Sequence, residues 1–274
     1  MFENLLNGRM VCLAVIMLLS GYMNVFAWTE YAEKVCGALP GDTVAVVPAG
    51  TTSLPDYAFA DCESLRHVQL PASLRSIGDY AFLGCSGLES LDLPTRLTKI
   101  GEGAFRECRS LKSLEIPAGV SVIPRYMCAW DTDLVCVVLP RGLKDIGSHA
   151  FAYCGALESV GALQNGAQTG VDIPYGVAHI GSNAFSFCRS IKEATLPASI
   201  TELESYAFSD CSSLERLELP ANDKMLGEYM VTGCPRLRLI ICRSPKRPTF
   251  DCDSPLFDPH EDMHPEYETP GWSF

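Results

Sequence analysis

A period of 23 residues governs this chain. Proline recurs at Pro48, Pro71, Pro94, Pro117 and Pro140, and again at Pro174, Pro197 and Pro220. Phenylalanine keeps the same beat at Phe59, Phe82, Phe105, Phe151, Phe185 and Phe208, and cysteine follows at Cys62, Cys85, Cys108, Cys154, Cys188, Cys211 and Cys234. A fixed period of this size marks a solenoid, in which one coil cannot bury its apolar face alone and does so by stacking on the next. Such stacks present surface and seldom house a catalytic pocket, so binding is the expected work.

Aligned on the period, each coil reads I-x-x-x-A-F-x-x-C-x-x-L-x-x-L-x-L-P. Eight coils are expected, led by Leu54, Ile77, Ile100, Ile123, Ile146, Ile180, Leu203 and Leu226. The L-x-L portion alternates, which predicts a short strand with Leu91 and Leu93 inward and Ser90 and Asp92 outward. Stacking pairs these strands into a parallel sheet with about 4.8 Å per coil. Proline closes each strand because it lacks the N–H that would extend the ladder. The A-F-x-x-C stretch is too short for a full α-helix and predicts one turn of helix or 3-10 on the opposite side. Its Phe fills the core and its Cys packs as a small apolar residue. The expected fold is thus an α/β repeat, a right-handed solenoid over residues 44–242.

Two coils depart from the pattern. In the fourth, Cys128 takes the Phe place and Asp131 the Cys place, and Asp131 is expected at the surface or bonded to backbone. In the fifth, Pro140 to Pro174 spans 34 residues. The extra segment, near 161–170, is rich in Gly, Gln and Asn and reads as an exposed loop: a tolerated bulge, or a contact loop on a rigid scaffold.

Both ends need covers. Residues 1–27 read as a secretory signal: Arg9 is its positive region, Met10 to Leu19 its apolar run, and Val25-Phe26-Ala27 its cleavage site. An uncleaved anchor is the rival reading, disfavoured because Ser20, Gly21 and Asn24 interrupt a stretch already short for a span; no membrane span is expected after cleavage. Residues 28–43 carry Trp28, Tyr31, Val35 and Leu39 at helical spacing, with Thr29 placed as the cap, and predict an amphipathic capping helix. Leu239 and Ile241 take outward positions in the last coil, so part of the Pro-rich tail, 243–274, is expected to fold back over that edge.

The run Ala81-Phe82, Cys85, Leu88, Leu91, Leu93, Pro94, Leu97, Ile100 and Gly101 resembles the BspA-type leucine-rich repeat residue for residue. The resemblance covers about residues 44–242 and recurs in at least seven coils. The ending, with Cys242, Pro248 and Gly271-Trp272-Ser273-Phe274, looks like a shortened form of the closing segment of secreted bacterial members. The resemblance implies a secreted or cell-surface protein of the adhesion or host-interaction type, its ligand a protein or peptide such as an extracellular-matrix or cell-surface protein. It carries no catalytic residues to transfer.

The net charge of −12 argues against nucleic acid, which needs clustered Lys and Arg, and disfavours binding to anionic lipid. The most tempting chemistry is His260-Glu261-Asp262-Met263-His264, which matches the H-E-x-x-H of zinc hydrolases. Pro265 follows at once and biases His264 away from helical geometry, and few residues remain to supply a third ligand. An acidic exposed tail is the plainer reading, and no metal, cofactor or catalytic residue is assigned. His67, His149 and His179 lie in separate coils and read as surface or turn residues. No N-x-[ST] sequon is present.

Thirteen cysteines remain to be placed. Secretion favours disulfides, yet recurrence at one core position favours packing, so the ladder is expected to hold free buried thiols. Cys242 and Cys252 are off the beat and form a candidate cap disulfide.

The best binding candidates are the outward strand positions: His67 and Gln69, Ser90 and Asp92, Ser113 and Glu115, Cys136 and Val138, Ser159, Asp172, Glu193 and Thr195, Arg216 and Glu218. They predict one continuous face, polar and mostly acidic, with an apolar spot at Cys136 and Val138. It reads as an ordinary solvated sheet face or as a dock for a basic protein or peptide centred on Val138. The alternatives to a binding module are a structural envelope scaffold without a tight ligand and, more weakly, a hydrolase using the tail motif.

Overall fold

The computed structural model describes residues 43–161, 170–220, 227–242 and 266–268. The predicted signal, the capping helix but for Thr43, the leading residue Leu226, Cys252 and the His260–His264 motif lie outside the described residues.

Three parallel ladders hold the stack. Strands are numbered β1–β18 in chain order. The first ladder is built from the L-x-L positions: β1 (Thr43–Val46), β3 (Leu65–Gln69), β5 (Ser90–Leu91), β7 (Ser113–Glu115), β9 (Cys136–Val138), β11 (Ser159–Gly161), β12 (Gly170–Asp172), β14 (Glu193–Thr195), β16 (Arg216–Leu219), β17 (Leu239–Cys242) and β18 (Glu266–Glu268). The second is built from the leading apolar residue and the residue before it: β2 (Ser53–Leu54), β4 (Ser76–Ile77), β6 (Lys99–Ile100), β8 (Val122–Ile123), β10 (Asp145–Ile146), β13 (His179–Ile180) and β15 (Glu202–Leu203). All pairings are parallel and follow chain order.

The third ladder corrects the expectation of helical turns. No helix or 3-10 segment occurs among the described residues. Across A-F-x-x-C the chain instead makes consecutive β-turns whose N–H groups alternate in direction. Tyr80, Phe82 and Gly84 donate to Glu102, Ala104 and Arg106 of the next coil at 2.8, 2.8 and 2.9 Å. Leu83 and Cys85 donate locally, three residues back, to Tyr80 and Phe82 at 3.0 and 3.2 Å. This geometry needs a left-handed residue twice per coil, before the Ala and before the Cys. Tyr57 (φ 58°) and Asp61 (φ 59°) open the series, and Tyr206 (φ 61°) and Asp210 (φ 57°) show it near the other end. A helix would aim every N–H along its own axis, whereas the alternating turns send half of them across to the next coil and join the coils through backbone bonds.

The core lies between the ladders. Phe59, Phe82, Phe105, Phe151, Phe185 and Phe208 are fully buried. They stack in two runs, with ring centroids 5.2 and 5.7 Å apart from Phe59 to Phe105 and 5.4 and 5.1 Å apart from Phe151 to Phe208. Cys128 interrupts the column between them.

The ladder cysteines do more than fill space. Each thiol of Cys85, Cys108, Cys154, Cys188, Cys211 and Cys234 donates to the carbonyl at the Phe position of the coil before, at 3.0–3.2 Å. These six are free and buried, and burial pushes the Cys85 thiol up to about 12. Cys62 departs from the expectation, because it is disulfide-bonded. It heads the column, where no earlier ladder cysteine precedes it.

Asp131 is not at the surface. It is fully buried, and its Oδ1 takes the backbone N–H of Cys108 at 2.8 Å, close to where a ladder thiol would sit. Its Oδ2 is buried without a well-formed hydrogen bond, beside the Cys128 thiol. Burial drives its pKa well above the ordinary carboxylate value.

The insertion is more than a loop. Its two ends form β11 and β12, which sit side by side between β9 and β14, while β10 pairs directly with β13. The first ladder thereby gains a rung that the second lacks. Gly170 (φ 102°) fits only without a side chain, because a Cβ there would meet the Glu193 carbonyl oxygen at 2.5 Å. At the far end, Glu266–Glu268 of the tail pairs with Leu239–Ile241 as the outermost strand, and Ile241 is buried.

Candidate functional site

Two surfaces carry chemistry. The first is the outward face of the first ladder. Its register aligns two rows from β7 to β16, one through Ser113, Cys136, Ser159, Gly170, Glu193 and Arg216, the other through Glu115, Val138, Gly161, Asp172, Thr195 and Glu218, and it pairs His67 with Ser90 ahead of them, with Gln69 and Asp92 at the matching positions of the repeat. Hydrogen-bonded pairing lapses between β5 and β7, although the turn ladder joins those two coils through the Phe82 N–H and the Ala104 carbonyl at 2.8 Å.

Gln69, Ser90, Asp92, Ser113, Glu115 and Glu193 are exposed, and His67, Cys136, Val138, Ser159, Asp172, Thr195, Arg216 and Glu218 are half-buried. His67 Nδ1 and the Ser90 hydroxyl lie 3.0 Å apart. Arg216 is flanked by Glu218 at 2.7 Å and Glu193 at 3.7 Å, so the face's one cation is spent on its own acids. The remaining carboxylates leave the face acidic around Val138.

The second surface was missed by reading coils one at a time. His179 is neither a turn nor a loose surface residue. It lies in β13, half-buried between strands β10 and β15. Both oxygens of Asp145 lie 3.2 Å from its Nδ1, and Glu204 Oε1 lies 3.0 Å from its Nε2. The other oxygen of Glu204 accepts from the Ser182 N–H at 2.7 Å and from its hydroxyl at 2.6 Å. Glu202 is exposed on the neighbouring strand, and ligand atoms of His179, Glu202 and Glu204 all lie within 4.8 Å of one another.

Electrostatics follow the geometry. Burial would lower the His179 pKa, but hydrogen bonds from the ring to Glu204 and Asp145 outweigh it and raise the value. Glu204 is lowered, first by its bond from Ser182 and then by His179. The signal lay in one column of the repeat: Ser53, Ser76, Lys99, Val122, Asp145, His179 and Glu202 all precede the leading apolar residue.

His149 is a turn residue, as read from the sequence. It is left-handed (φ 59°) and stacks on Tyr126 at 4.7 Å. Nearby, Trp130, Tyr153 and Phe187 stack in series at 5.0 and 4.4 Å, with the Arg106 guanidinium 4.6 Å over Trp130. All three are left-handed turn residues, so their rings point away from the core.

The family model described as "BspA type Leucine rich repeat region" matches residues 43–158 and 159–247, in six copies. The chain belongs to the BspA-type leucine-rich repeat family. Among solved structures this BspA-type protein is similar to a leucine-rich repeat protein from Bacteroides ovatus, at 25% identity and a TM-score of 0.53. That match covers 76% of this chain but 65% of the other, so the chain spans about two thirds of that relative's length. It is also similar to the T. pallidum leucine-rich repeat protein, at 28% identity and a TM-score of 0.50, covering 72% of this chain and 78% of that one. No curated protein matches the sequence.

Proposed function

We propose that this BspA-type protein is a secreted or cell-surface module that binds another protein or peptide through the outward face of its first ladder. The observation that carries the reading is the pair of aligned rows on that face. From β7 to β16 backbone pairing fixes their spacing, so a ligand meets a preorganised backbone and less conformational entropy is lost on binding. Exposed Glu115 is the register neighbour of half-buried Val138, and exposed Asp92 and Glu193 lie further along the same face on either side, an acidic surface with an apolar spot that suits a basic partner. The apolar N-terminal run and the disulfide at Cys62 support an oxidising, extracytoplasmic setting.

The test measures the protein by surface plasmon resonance against a panel of extracellular-matrix and bacterial surface proteins. Binding that weakens with salt, and falls at least tenfold in an Asp92→Lys, Glu115→Lys, Glu193→Lys variant, supports the face. Unchanged affinity in that variant removes it, and no binding across the panel favours the structural-scaffold reading.

A further inference from the structure

We propose that His179, Glu202 and Glu204 form a binding site for a divalent transition metal of the zinc type. The site lies on the second ladder and does not depend on the protein-binding face.

Asp145 lies behind Nδ1 of His179 and accepts its N–H, while Nε2 faces Glu204 Oε1 3.0 Å away, where a metal ion would take the place of the second ring proton. A carboxylate behind one ring nitrogen, with the other nitrogen free to ligate, is how proteins orient metal-binding imidazoles. Glu204 is prepared in the same way: Ser182 holds Oε2 with two hydrogen bonds and leaves Oε1 facing His179.

Nε2 and the Glu204 oxygen at this separation share either a proton on the ring or a cation that replaces it. With Asp145, Glu202 and Glu204 around one imidazole, a divalent ion neutralises one more charge than a proton does. Tetrahedral zinc, with bonds of ~2.0–2.2 Å, holds neighbouring ligand atoms about 3.4 Å apart. Glu202, exposed at the end of its strand, has the freedom to close from the present separation. A nitrogen ligand with two carboxylates favours zinc-type ions over magnesium or calcium.

Glu204 itself is an independent pointer. Its place in the repeat, just after the leading apolar residue, is otherwise Pro55, Gly78, Gly101, Pro124, Gly147, Gly181 and Gly227. Coils press together there, so that a Cβ on Gly181 would meet the Ser148 backbone nitrogen at 2.4 Å. The stack does not ask for a long acidic side chain at this position, and departures from a repeat's own rule are where function is expected.

The experiment titrates chelator-stripped full-length protein with zinc chloride by calorimetry, in a His260→Ala, His264→Ala background that disables the tail motif. One zinc per chain is expected, with affinity at least tenfold weaker in Glu202→Gln, abolished in His179→Gln and lowered about tenfold in Asp145→Asn. Magnesium chloride should give no comparable isotherm. Two results overturn the proposal: no stoichiometric zinc, which leaves His179 as an imidazolium clamping the carboxylates, or zinc binding that ignores Glu202→Gln and His179→Gln. Glu202 is exposed, so its substitution reads the site without depending on the fold.

Discussion

The two ends of the second ladder share one backbone and differ in what they hang on it. At the N-terminal end, β2, β4 and β6 flank a shallow polar groove of about 530 Å³. Its polar groups are consumed locally: Asp56 and Asp79 each accept the N–H of the residue 23 positions on, both at 2.8 Å, and the Ser53 and Ser76 hydroxyls bond at 2.7 Å. At the C-terminal end, the same column holds Asp145, His179 and Glu202, with Glu204 beside it, and their carboxylates gather around the His179 ring. Pairing is indifferent to what occupies the outward column, because those side chains leave the ladder. The adjoining Gly/Pro column is not free in this way. The fold thus permits chemistry in one column and polices the next.

The sharpest way to break the contrast is to insert a side chain where the policing is strictest. Gly101→Val should destabilise the protein by about 3 kcal/mol in urea unfolding, because its Cβ would meet the Asp79 backbone nitrogen at 2.4 Å. Glu204→Gly, in the same column, should cost only about 1 kcal/mol, from the acceptor that the Ser182 N–H loses. Equal tolerance of both changes would mean the column imposes nothing, and Glu204 would lose its significance.

A second test probes the coil between the two ends, through Asp131. Its pKa is raised by burial, so the folded state holds a proton that the unfolded state releases above about 3.8. Stability from this residue is therefore greatest below the unfolded pKa and falls as pH rises towards the folded value, by up to about tenfold in the folding equilibrium per pH unit. Asp131→Cys restores the thiol ladder, and under reducing conditions it should flatten that part of the pH profile and raise stability at neutral pH. An unchanged profile would show that Asp131 folds in its ionised form.

The smallest expected difference compares two aspartates. Asp79→Ala should cost about 1 kcal/mol, because the Glu102 N–H loses its acceptor. Asp145→Ala should cost less in the same urea assay, because its carboxylate faces His179 and not the backbone. The reverse order would make Asp145 a structural residue.

Periodicity made the repeat, its family and its buried columns legible, since Ile77, Phe82, Cys85 and Leu91 each answer to a position in the coil. The turn geometry was not legible as alternating turns, because Tyr, Asp, Glu and Trp occupy left-handed positions where glycine would have announced them. Gly84 and Gly103 were the hints, but they stand in single coils. Asp131 was read half rightly: its bond to backbone follows from its place in the cysteine column, while its full burial required knowing that the column faces inward at that coil. The His179 cluster escaped because its acidic members lie 23 to 34 residues from His179, and only a comparison down the column brings them together. For the outward rows of the first ladder, alternation supplied which residues share a face and left open which of them a partner touches.

The unequal number of steps on the two ladders has a mechanical consequence. A pile of plates with one extra plate slipped under a single side cannot stay straight, and its upper part must lean away from that side. With β11 and β12 opposite a direct β10–β13 contact, about 4.8 Å of added height must be absorbed as a bend in the long direction of the molecule. Eleven inserted residues thereby put the two ladders out of step by one rung from β12 onwards.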